Sequence, residues 1–404
     1  MNADLFEQCV KCTICTAVCP MMAVDPHYPG PKQAGPDGER FRLKDPRFFD
    51  LTLRFCLNCR RCEVACPSGV PVADMIQLAR IRHGRQLNPF RDTMLADTDR
   101  SGNIAVSLSS LTGKVLSSRP VKAVLHSLVG IDSHRTLPEY ADRKFTDLFE
   151  TTDQSGYKHY VSYFHGCYVN YNHPQLGKDL VRILNACGWG VHLLEKEKCC
   201  GAALIAEGFG RKALEKARVN VDSIRKAVSR GEEVLTTGTT CTFTMRDEYE
   251  NVLGLQMSDI RDSITLATKW LYEHVEDGSL KLAFRDDYKK RMIYHTSCHM
   301  AKLGWSLYSV SLLRMIPGLT LSAPDQQCCG MAGTFGFKKE AYPYSMMIGK
   351  GLFEELKKSS PDIVATDCET CKWQIEQGTG LQVMNPVSII AEALDVEKTK
   401  EING

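Results

Sequence analysis

The stretch CVKCTICTAVCP, at residues 9–20, decides how the chain begins to fold, because it places four cysteines within eleven residues. A second stretch, CLNCRRCEVACP at residues 56–67, repeats its pattern C-x2-C-x2-C-x3-C-P, with each cysteine 47 positions further along. In proteins that hold two 4Fe-4S clusters, the first three cysteines of such a run bind one cluster and the fourth, next to proline, binds the other. The repeat therefore predicts a small helical ferredoxin-type domain with two 4Fe-4S clusters.

The crossed pattern divides the eight cysteines into two predicted ligand sets. The first cluster is assigned to Cys9, Cys12, Cys15 and Cys66, and the second to Cys56, Cys59, Cys62 and Cys19. Zinc is a weaker interpretation, because zinc sites favour two separated C-x2-C pairs or cysteine combined with histidine. Disulfides are weaker still, since the N-terminus has neither the basic nor the apolar region of a signal peptide. Arg60 and Arg61 either raise the potential of a cluster or, as the more ordinary interpretation, form a solvated basic face.

A longer repeat organises the rest of the chain. Cys167, the pair Cys199–Cys200 before Gly201, and Cys241 recur as Cys298, the pair Cys328–Cys329 before Gly330, and Cys368, at offsets of 131, 129 and 127 residues. The second copy adds Cys371, whereas the first copy has Thr244 at that position. A repeat of this length indicates a duplicated structural unit.

The segments around these cysteines alternate between strand and helix patterns. Strands are predicted at 160–164, 191–194, 234–237, 292–295, 319–322 and 363–366, and helices at 176–186, 211–227, 303–315 and 344–358. Such alternation predicts α/β units with parallel sheets. Because the cysteines follow strands, and ligands gather at the carboxyl ends of strands in open α/β sheets, we expect the cysteines of each unit to converge.

The second unit is predicted to bind one further cluster through Cys298, Cys328, Cys329, Cys368 and Cys371. Five thiols exceed the four that a cubane accepts, which favours an opened, non-cubane cluster. The first unit offers only Cys167, Cys199, Cys200 and Cys241, so it either binds a cluster or simply packs buried thiols. Cys187 fits neither set and is expected to be a packing residue. His165, His295 and His299 are candidates for contacts to iron or to a quinone that takes up protons, although a hydrogen bond at a strand end is their more ordinary role.

These patterns divide the chain into a ferredoxin-type domain at 1–85, a basic linker at 86–155, a first cysteine-rich unit at 156–285 and a second at 286–404. In the linker, Ile104, Leu108, Leu111 and Val115 share one helical face, and Val121, Val124, Leu125 and Leu128 share another. Residues 104–129 contain no acid, and lysine and arginine lie off these faces. The pattern fits a membrane-surface helix and equally a helix packed on its own protein.

Composition and missing motifs exclude several other classes of function. The formal net charge is only +2, which gives no case for nucleic acid binding. No apolar run is long enough for a transmembrane helix. Neither GxGxxG after a strand nor GxxxxGK[ST] occurs, so there is no sign of a flavin, nicotinamide or ATP site. We therefore expect the chain to carry electrons while a partner acts on the metabolite.

Six stretches carry a family resemblance: CVKCTICTAVCP at 9–20, YPGPKQAGPDGER at 28–40, FHGCYVNYNHPQLGKDL at 164–180, KEKCCG at 196–201, QCCGMAGTFGFKKE at 327–340 and TDCETCKWQIE at 366–376. Over nearly its whole length the chain resembles the iron–sulfur subunits of anaerobic glycerol-3-phosphate dehydrogenase complexes. More distantly it is similar to glycolate oxidase iron–sulfur subunits, and its paired units look like those of the cysteine-rich heterodisulfide reductase subunits. The resemblance implies that the eight N-terminal cysteines are cluster ligands and that the second unit holds a non-cubane cluster, while Thr244 puts a first-unit cluster in doubt.

The same resemblance implies a place in anaerobic respiration. A flavoprotein partner would oxidise sn-glycerol 3-phosphate to dihydroxyacetone phosphate. This chain would pass the electrons to the membrane quinone pool and help anchor the complex peripherally at the cytoplasmic face of the inner membrane. The competing interpretations are an iron–sulfur protein of a 2-hydroxy acid dehydrogenase acting on glycolate or lactate, a catalytic disulfide or quinone reductase, and a zinc-based interaction protein. Thr244 argues against disulfide reduction, which needs two clusters facing one substrate.

Overall fold

The computed structural model describes residues 5–46, 48, 50–84, 86–107, 118–325 and 327–404. Its N-terminal part is helical and is built from short elements around the two cysteine runs. These are a 3-10 turn at Leu5–Gln8, α1 at Ile14–Ala17, α2 at Gly30–Lys32, a π segment at Gln33–Asp37, α3 at Gly38–Lys44, a 3-10 turn at Leu51–Phe55, α4 at Arg61–Val64 and α5 at Val72–His83. The longest of them, α5, supplies the apolar core, in which Met75 and Ile76 are buried.

The linking segment is helical as well. It contains α6 at Pro89–Ala96, α7 at Thr98–Ser107, α8 at Arg119–Val124, a π segment at Leu125–Val129 and α9 at Phe145–Phe149. Asn88 caps α6 by accepting a hydrogen bond from the Arg91 N–H at 3.1 Å, and proline occupies the first turn. The Arg91 guanidinium also pairs with Glu340 at 2.8 Å, which ties the linker to the second cysteine-rich unit. Leu108, Leu111 and Val115 lie outside the described residues.

Two four-stranded parallel sheets form the C-terminal part. The strands are β1 at His159–Phe164, β2 at Trp189–Leu193, β3 at Val234–Thr236, β4 at Ile264–Leu266, β5 at Lys290–Tyr294, β6 at Leu319–Ser322, β7 at Ile363–Ala365 and β8 at Val383–Met384. Their orders are β2-β1-β3-β4 and β6-β5-β7-β8. Because the same order occurs twice, the duplicated parallel α/β architecture predicted from the cysteine spacing is confirmed.

Helices surround both sheets. The first unit contains α10 at Pro174–Ala186, α11 at Ala202–Ala206, α12 at Gly210–Ser229, α13 at Thr239–Phe243, α14 at Tyr249–Asn251 and α15 at Ala267–Glu276, with a π segment at Tyr168–Asn172, a π segment at Thr244–Glu248 and a 3-10 turn at Arg261–Ser263. The second unit contains α16 at Cys298–Leu303, α17 at Ser306–Arg314, a 3-10 turn at Phe335–Phe337, α18 at Tyr342–Ser359, α19 at Glu369–Thr379, α20 at Pro386–Ala393 and α21 at Val396–Asn403. One apolar core joins the two units, with Leu180, Trp270 and Ile390 buried in it.

The strand order explains where the cysteines meet. In the first sheet β1 lies between β2 and β3, with Phe164 opposite Thr236. The strand that follows β1 in the chain therefore lies on one side of it, and the next strand lies on the other side. Such a switch point opens a crevice at the carboxyl ends of the strands. Cys167 and Cys241 follow β1 and β3 and therefore reach the same crevice, and Cys298 and Cys368 do so in the second unit.

Candidate metal centres

Every cysteine of the chain is a free thiol. All eighteen lie in the described residues, and none of them forms a disulfide. Burial alone does not require a metal, since cysteine packs well in cores. The grouping of the thiols favours metal ligands over packing residues, because all cysteines but Cys187 lie around three cavities. Cys187 packs in the core between the two units.

The eight N-terminal thiols surround two small cavities. One is lined by Cys9, Cys12, Cys15 and Cys66, and the other by Cys19, Cys56, Cys59 and Cys62. Each cavity thus receives three cysteines from one run and the fourth cysteine from the other. Burial raises the pKa of the Cys19 thiol to about 12, which disfavours its thiolate in this cavity.

The backbone of the two runs is the same as well. Lys11 and Thr13 in the first run, and Asn58 and Arg60 in the second, all have positive φ angles between 52° and 64°. These left-handed residues separate the cysteines, and successive turns of this kind direct N–H groups towards an anion-binding concavity. The sequence repeat is therefore also a conformational repeat.

In the second cysteine-rich unit, five thiols converge from three separate loops. The Cys329 and Cys371 sulfurs lie 3.2 Å apart, Cys368 contacts Cys371, and Cys298 contacts Cys328. The hydrogen bond from the Cys371 thiol lowers the pKa of Cys368 and favours its thiolate. Soft sulfur donors gathered in this way select iron–sulfur clusters or zinc, and the number of thiols exceeds what zinc takes.

The first unit gathers its four thiols in a chain of contacts. The Cys167 and Cys199 sulfurs lie 3.8 Å apart, Cys199 contacts Cys200, and Cys200 contacts Cys241. Hydrogen bonding with Cys167, and then with Cys200, lowers the pKa of the Cys199 thiol. The Cys199 backbone N–H is held by the Asp99 carboxylate at 3.0 Å, so the linker helix α7 helps to position this set.

Both units face one large cavity of about 560 Å³. This volume is within the range of ligand and cofactor sites, about 300–1,000 Å³. Ten thiols line it: Cys59, Cys167, Cys199, Cys200, Cys241, Cys298, Cys328, Cys329, Cys368 and Cys371. The other walls are largely apolar and include Leu95, Ile104, Leu125, Leu137 and Trp373. The donor set and the volume therefore fit cysteine-bound clusters with additional apolar space beside them.

The ferredoxin-type domain touches the second unit through sulfur. Cys59, at the edge of the second N-terminal cavity, is hydrogen bonded to the Cys298 thiol, and this contact is the largest cause that raises the pKa of Cys59. Arg61 reaches the same place and bonds to Cys298 while facing Cys328 and Cys59. A cation thus lies between the two thiol sets, and positive charge near a cluster favours its reduced form.

Arg60 is not on a solvated basic face, and that interpretation of the sequence is wrong. Its side chain is 0% exposed and contacts three buried carboxylates, with Glu63 at 3.1 Å, Glu248 at 2.6 Å and Asp74. Glu248 belongs to the first cysteine-rich unit and also accepts from the Asn58 amide at 2.7 Å. The buried network fastens the ferredoxin-type domain to that unit, because an arginine without these partners would be costly to bury.

Thr244 belongs to this network. Its hydroxyl donates to the second oxygen of Glu248 at 2.8 Å, and its side chain is fully buried. In contrast to Cys371, its counterpart, Thr244 is not among the residues described around the large cavity. The position that would carry a fifth thiol is therefore used to hold Glu248.

The three candidate histidines have different surroundings. His165 contacts Glu197 at 3.2 Å and the Gly166 carbonyl at 3.0 Å, while His295 lies with Cys329 and Cys371 in a group whose ligand atoms are within 4.8 Å. Burial lowers the pKa of both imidazoles to about 4. Only His299 of the three lines the large cavity, where it stacks on Phe243 at 4.7 Å and lies 3.1 Å from the Asn58 carbonyl.

Several residues at these sites carry no sequence signal of their own. Asp99 reaches the Cys199 N–H, and Glu248 reaches Asn58 beside Cys59, only because distant segments meet. Glu369 follows Cys368 in the chain, and the fold also brings it near Cys199 of the other unit. Burial, and then the charge of Cys368, raise the pKa of Glu369 to about 8. An acidic residue next to a cysteine in a single sequence gives no indication of which thiol set its carboxylate faces.

Comparison with known proteins agrees with this arrangement. Residues 6–70 match the family described as a 4Fe-4S dicluster domain, and residues 161–246 and 292–376 each match a cysteine-rich domain. The chain is 27% identical over 418 residues to the glycolate oxidase iron-sulfur subunit of Escherichia coli, covering 98% of this chain and 96% of that protein. It is 24% identical over 406 residues to a fumarate reductase (CoM/CoB) subunit of Methanothermobacter marburgensis, covering 96% of this chain and 71% of that protein.

A more similar relative is a subunit of the anaerobic glycerol-3-phosphate dehydrogenase of Escherichia coli strain K12. The two chains are 50% identical over 397 residues, which cover 98% of this chain and all of the relative. The expected family resemblance is thereby confirmed along the whole molecule. With its dicluster domain and two cysteine-rich units, the chain belongs to the family of iron–sulfur subunits of anaerobic glycerol-3-phosphate dehydrogenases.

Proposed function

We propose that this chain is the electron-transfer subunit through which a flavoprotein partner, oxidising sn-glycerol 3-phosphate to dihydroxyacetone phosphate, reduces the membrane quinone pool in anaerobic respiration. The observation that carries the proposal is the sulfur contact between Cys59 and Cys298, which joins the thiols of the ferredoxin-type domain to those around the large cavity. The higher identity to the glycerol-3-phosphate dehydrogenase relative favours this substrate over glycolate or lactate.

The proposed ligands are the thiol sets that line the cavities. Cys9, Cys12, Cys15 and Cys66 would hold one 4Fe-4S cluster, and Cys19, Cys56, Cys59 and Cys62 a second. Cys298, Cys328, Cys329, Cys368 and Cys371 would hold a third of the non-cubane kind, and the four thiols of the first unit support another. When bound, such groups supply one-electron redox chemistry at potentials set by charge, hydrogen bonds and burial.

Side chains around the thiol sets set the charge and the polarity at the proposed cluster sites. Arg61 contributes a positive charge between Cys59 and Cys298, and the Arg60 network keeps the ferredoxin-type domain seated on the first unit. Apolar neighbours such as Leu95 and Leu137 pack against the core that contains Cys329 and Cys371. They exclude water from the thiols, which lowers the local dielectric and strengthens the effect of Arg61.

The apolar part of the large cavity suits the ring of a quinone. Leu95, Leu125 and Leu137 form its apolar wall, and His299 supplies a polar ring nitrogen on the same surface. Quinone reduction consumes protons as well as electrons, so a polar group near the thiols is required. The place of the quinone is therefore proposed beside the thiols of the second unit.

Filling this space should weaken quinone binding selectively. We expect Leu95→Trp to raise the KM for a short-chain quinone about tenfold or more, because the added ring occupies the apolar wall. Reduction of a small one-electron dye by the same preparation should stay near the parent rate. Leu87→Trp is the matched control, since Leu87 is 61% exposed and does not line the cavity. An unchanged KM in Leu95→Trp would place the quinone elsewhere.

Membrane contact is proposed in the middle of the linker, at 119–129. Val124 is 52% and Leu128 is 79% exposed, whereas Leu125, on the same segment, lines the cavity. Large exposed apolar side chains next to basic residues suit the surface of a bilayer. Among the described helices, none is both long and apolar enough to cross a membrane. We therefore propose peripheral attachment, at the cytoplasmic face of the inner membrane.

Polar substitution should release the complex from membranes. We expect Val124→Gln combined with Leu128→Gln to lower the membrane-bound fraction about tenfold or more, since each loses apolar burial in the lipid surface. Leu307→Gln is the control, because Leu307 is 66% exposed but belongs to α17 in the second unit. Sedimentation with vesicles measures the bound fraction, and equal binding by both proteins would refute the contact.

The function as a whole is tested with the reconstituted complex. Adding sn-glycerol 3-phosphate to the flavoprotein partner and this chain, without oxygen, should bleach the visible absorbance of this chain and then reduce added quinone. Glycolate and lactate should do neither. Quinone reduction at the same rate by the flavoprotein without this chain would contradict the proposal.

A further inference from the structure

The first cysteine-rich unit has four thiols where the second has five, and Thr244 cannot supply the missing ligand. Its hydroxyl donates to Glu248 at 2.8 Å, and Glu248 is itself held by Asn58 and Arg60. Turning Thr244 towards the thiols would leave a buried carboxylate with one partner fewer. A fifth ligand for the first unit therefore has to come from another segment.

Glu369 is in position to be that ligand, although it belongs to the second unit. It is the first residue of α19 and follows Cys368 directly. Its side chain lines the large cavity and also a smaller cavity, and Cys241 of the first unit lines both of them. Gly238, Cys241 and Glu369 line that smaller cavity together.

The first unit makes room for this carboxylate. Gly238, three residues before Cys241, lies so near that a Cβ atom on it would be 3.2 Å from Oε2 of Glu369. That separation is tighter than ordinary van der Waals contact, so a larger residue at 238 would push the carboxylate away. The missing side chain of Gly238 thus lets Glu369 reach across the boundary between the two units.

The carboxylate also lacks a stabilising partner from any other residue. Within the described part of the chain, the hydrogen bond that the Glu369 carboxylate accepts comes from its own backbone N–H, and no side chain forms an ion pair with it. Placing a carboxylate among thiolates in an apolar wall is unfavourable unless a cation compensates for the charge. Carboxylate oxygen is an accepted ligand of iron in mixed donor sets.

We propose that Glu369 is the fifth ligand of an iron site in the first cysteine-rich unit, completing Cys167, Cys199, Cys200 and Cys241 from across the unit boundary. The inference rests on the proposed binding of iron in that unit. It makes the two halves unequal: the second unit offers five sulfur ligands, and the first four sulfur ligands and one oxygen. It also makes the first site dependent on the second unit for its assembly.

The test uses the full chain, purified without oxygen and labelled with ⁵⁷Fe, with iron content and Mössbauer spectra as readouts. Cys200→Ser identifies the spectral component of the first unit, and Cys371→Ser that of the second. In Glu369→Gln we expect the first component to be lost or shifted, with a fall of about one iron atom or more per chain. Glu369→Cys should retain the iron and give a component like that of the second unit.

Glu376→Gln is the matched control, because Glu376 lies on the same helix and pairs with Lys372. It should leave iron content and all components unchanged. The proposal is overturned if Glu369→Gln leaves the first component intact, if only the second component changes, or if Cys200→Ser removes no component. Quinone reduction is measured on the same samples, so failure of the electron-transfer function is seen separately from failure of this ligand assignment.

Discussion

Replacing Cys329 or Cys371 with serine is expected to remove about four iron atoms per chain and to reduce quinone turnover to background. The two sulfurs lie 3.2 Å apart on the wall of the large cavity and belong to the five-thiol set of the second unit. Serine is a poor donor for iron–sulfur chemistry, so the set loses its binding capacity rather than its fold. The N-terminal thiols do not take part in this loss, and the spectra of their clusters should persist.

Cys187→Ala is the control for the cysteine replacements. Cys187 is buried to a similar degree, but it packs in the core between the units and lines none of the cavities described above. Its replacement should leave iron content and quinone turnover unchanged. If Cys329→Ser and Cys371→Ser behave like this control, the five thiols are structural and electrons leave the chain elsewhere.

Replacing Arg60 with methionine is expected to destabilise the junction between the ferredoxin-type domain and the first unit by about 3–5 kcal/mol. The size of the effect follows from burial. Glu63, Asp74 and Glu248 all contact the Arg60 guanidinium, and without it they remain buried with less compensating charge. Lys302 still pairs with Glu63 at 3.0 Å but does not reach Glu248.

Hydrogen exchange measures this effect locally. Backbone amides of 239–251 should lose protection in Arg60→Met, since Glu248 anchors that segment from within. Arg54→Met provides the control, because Arg54 is exposed and packs on the ring of Phe55. Protection that is the same in Arg60→Met and Arg54→Met would show that the buried network does not hold the domains together.

The arrangement of strands and thiols could be predicted from the chain because its signals are local. Each of the six expected strands is present with boundaries shifted by no more than two residues, and the cysteines follow them as anticipated. The strands β4 at Ile264–Leu266 and β8 at Val383–Met384 are not indicated by the sequence, because no cysteine of the repeat follows either of them. The helix expected at 303–315 begins only at Ser306, after Gly304 has ended α16 in a left-handed conformation.

What could not be predicted depends on contacts between distant segments. Arg60 and Glu248 are 188 positions apart, and a run of two arginines in a sequence resembles a solvated face. Arg60 is buried instead, while its neighbour Arg61 reaches the Cys298 thiol. The common cavity was equally hidden, because it exists only when the ferredoxin-type domain, the linker and both units are assembled.

Duplication followed by divergence is visible in the two units. Both keep the same strand order and the Cys-Cys-Gly turn, but the equivalent positions 244 and 371 now have different tasks. Thr244 holds the anchor for the ferredoxin-type domain, and Cys371 stays with the thiols. The unit with four thiols therefore supplies Glu248 to the Arg60 network, and the unit with five thiols is the one in sulfur contact with Cys59.

The most direct test of cluster binding along the whole chain is a count of iron and acid-labile sulfide in the full protein purified without oxygen. Two N-terminal clusters and one in the second unit require about twelve iron atoms per chain, and a first-unit site raises the number towards about sixteen. We predict a value in this range. A value of about eight or fewer would contradict it, because the cysteine-rich units would then hold no cluster and the thiols around the large cavity would have no part in electron transfer.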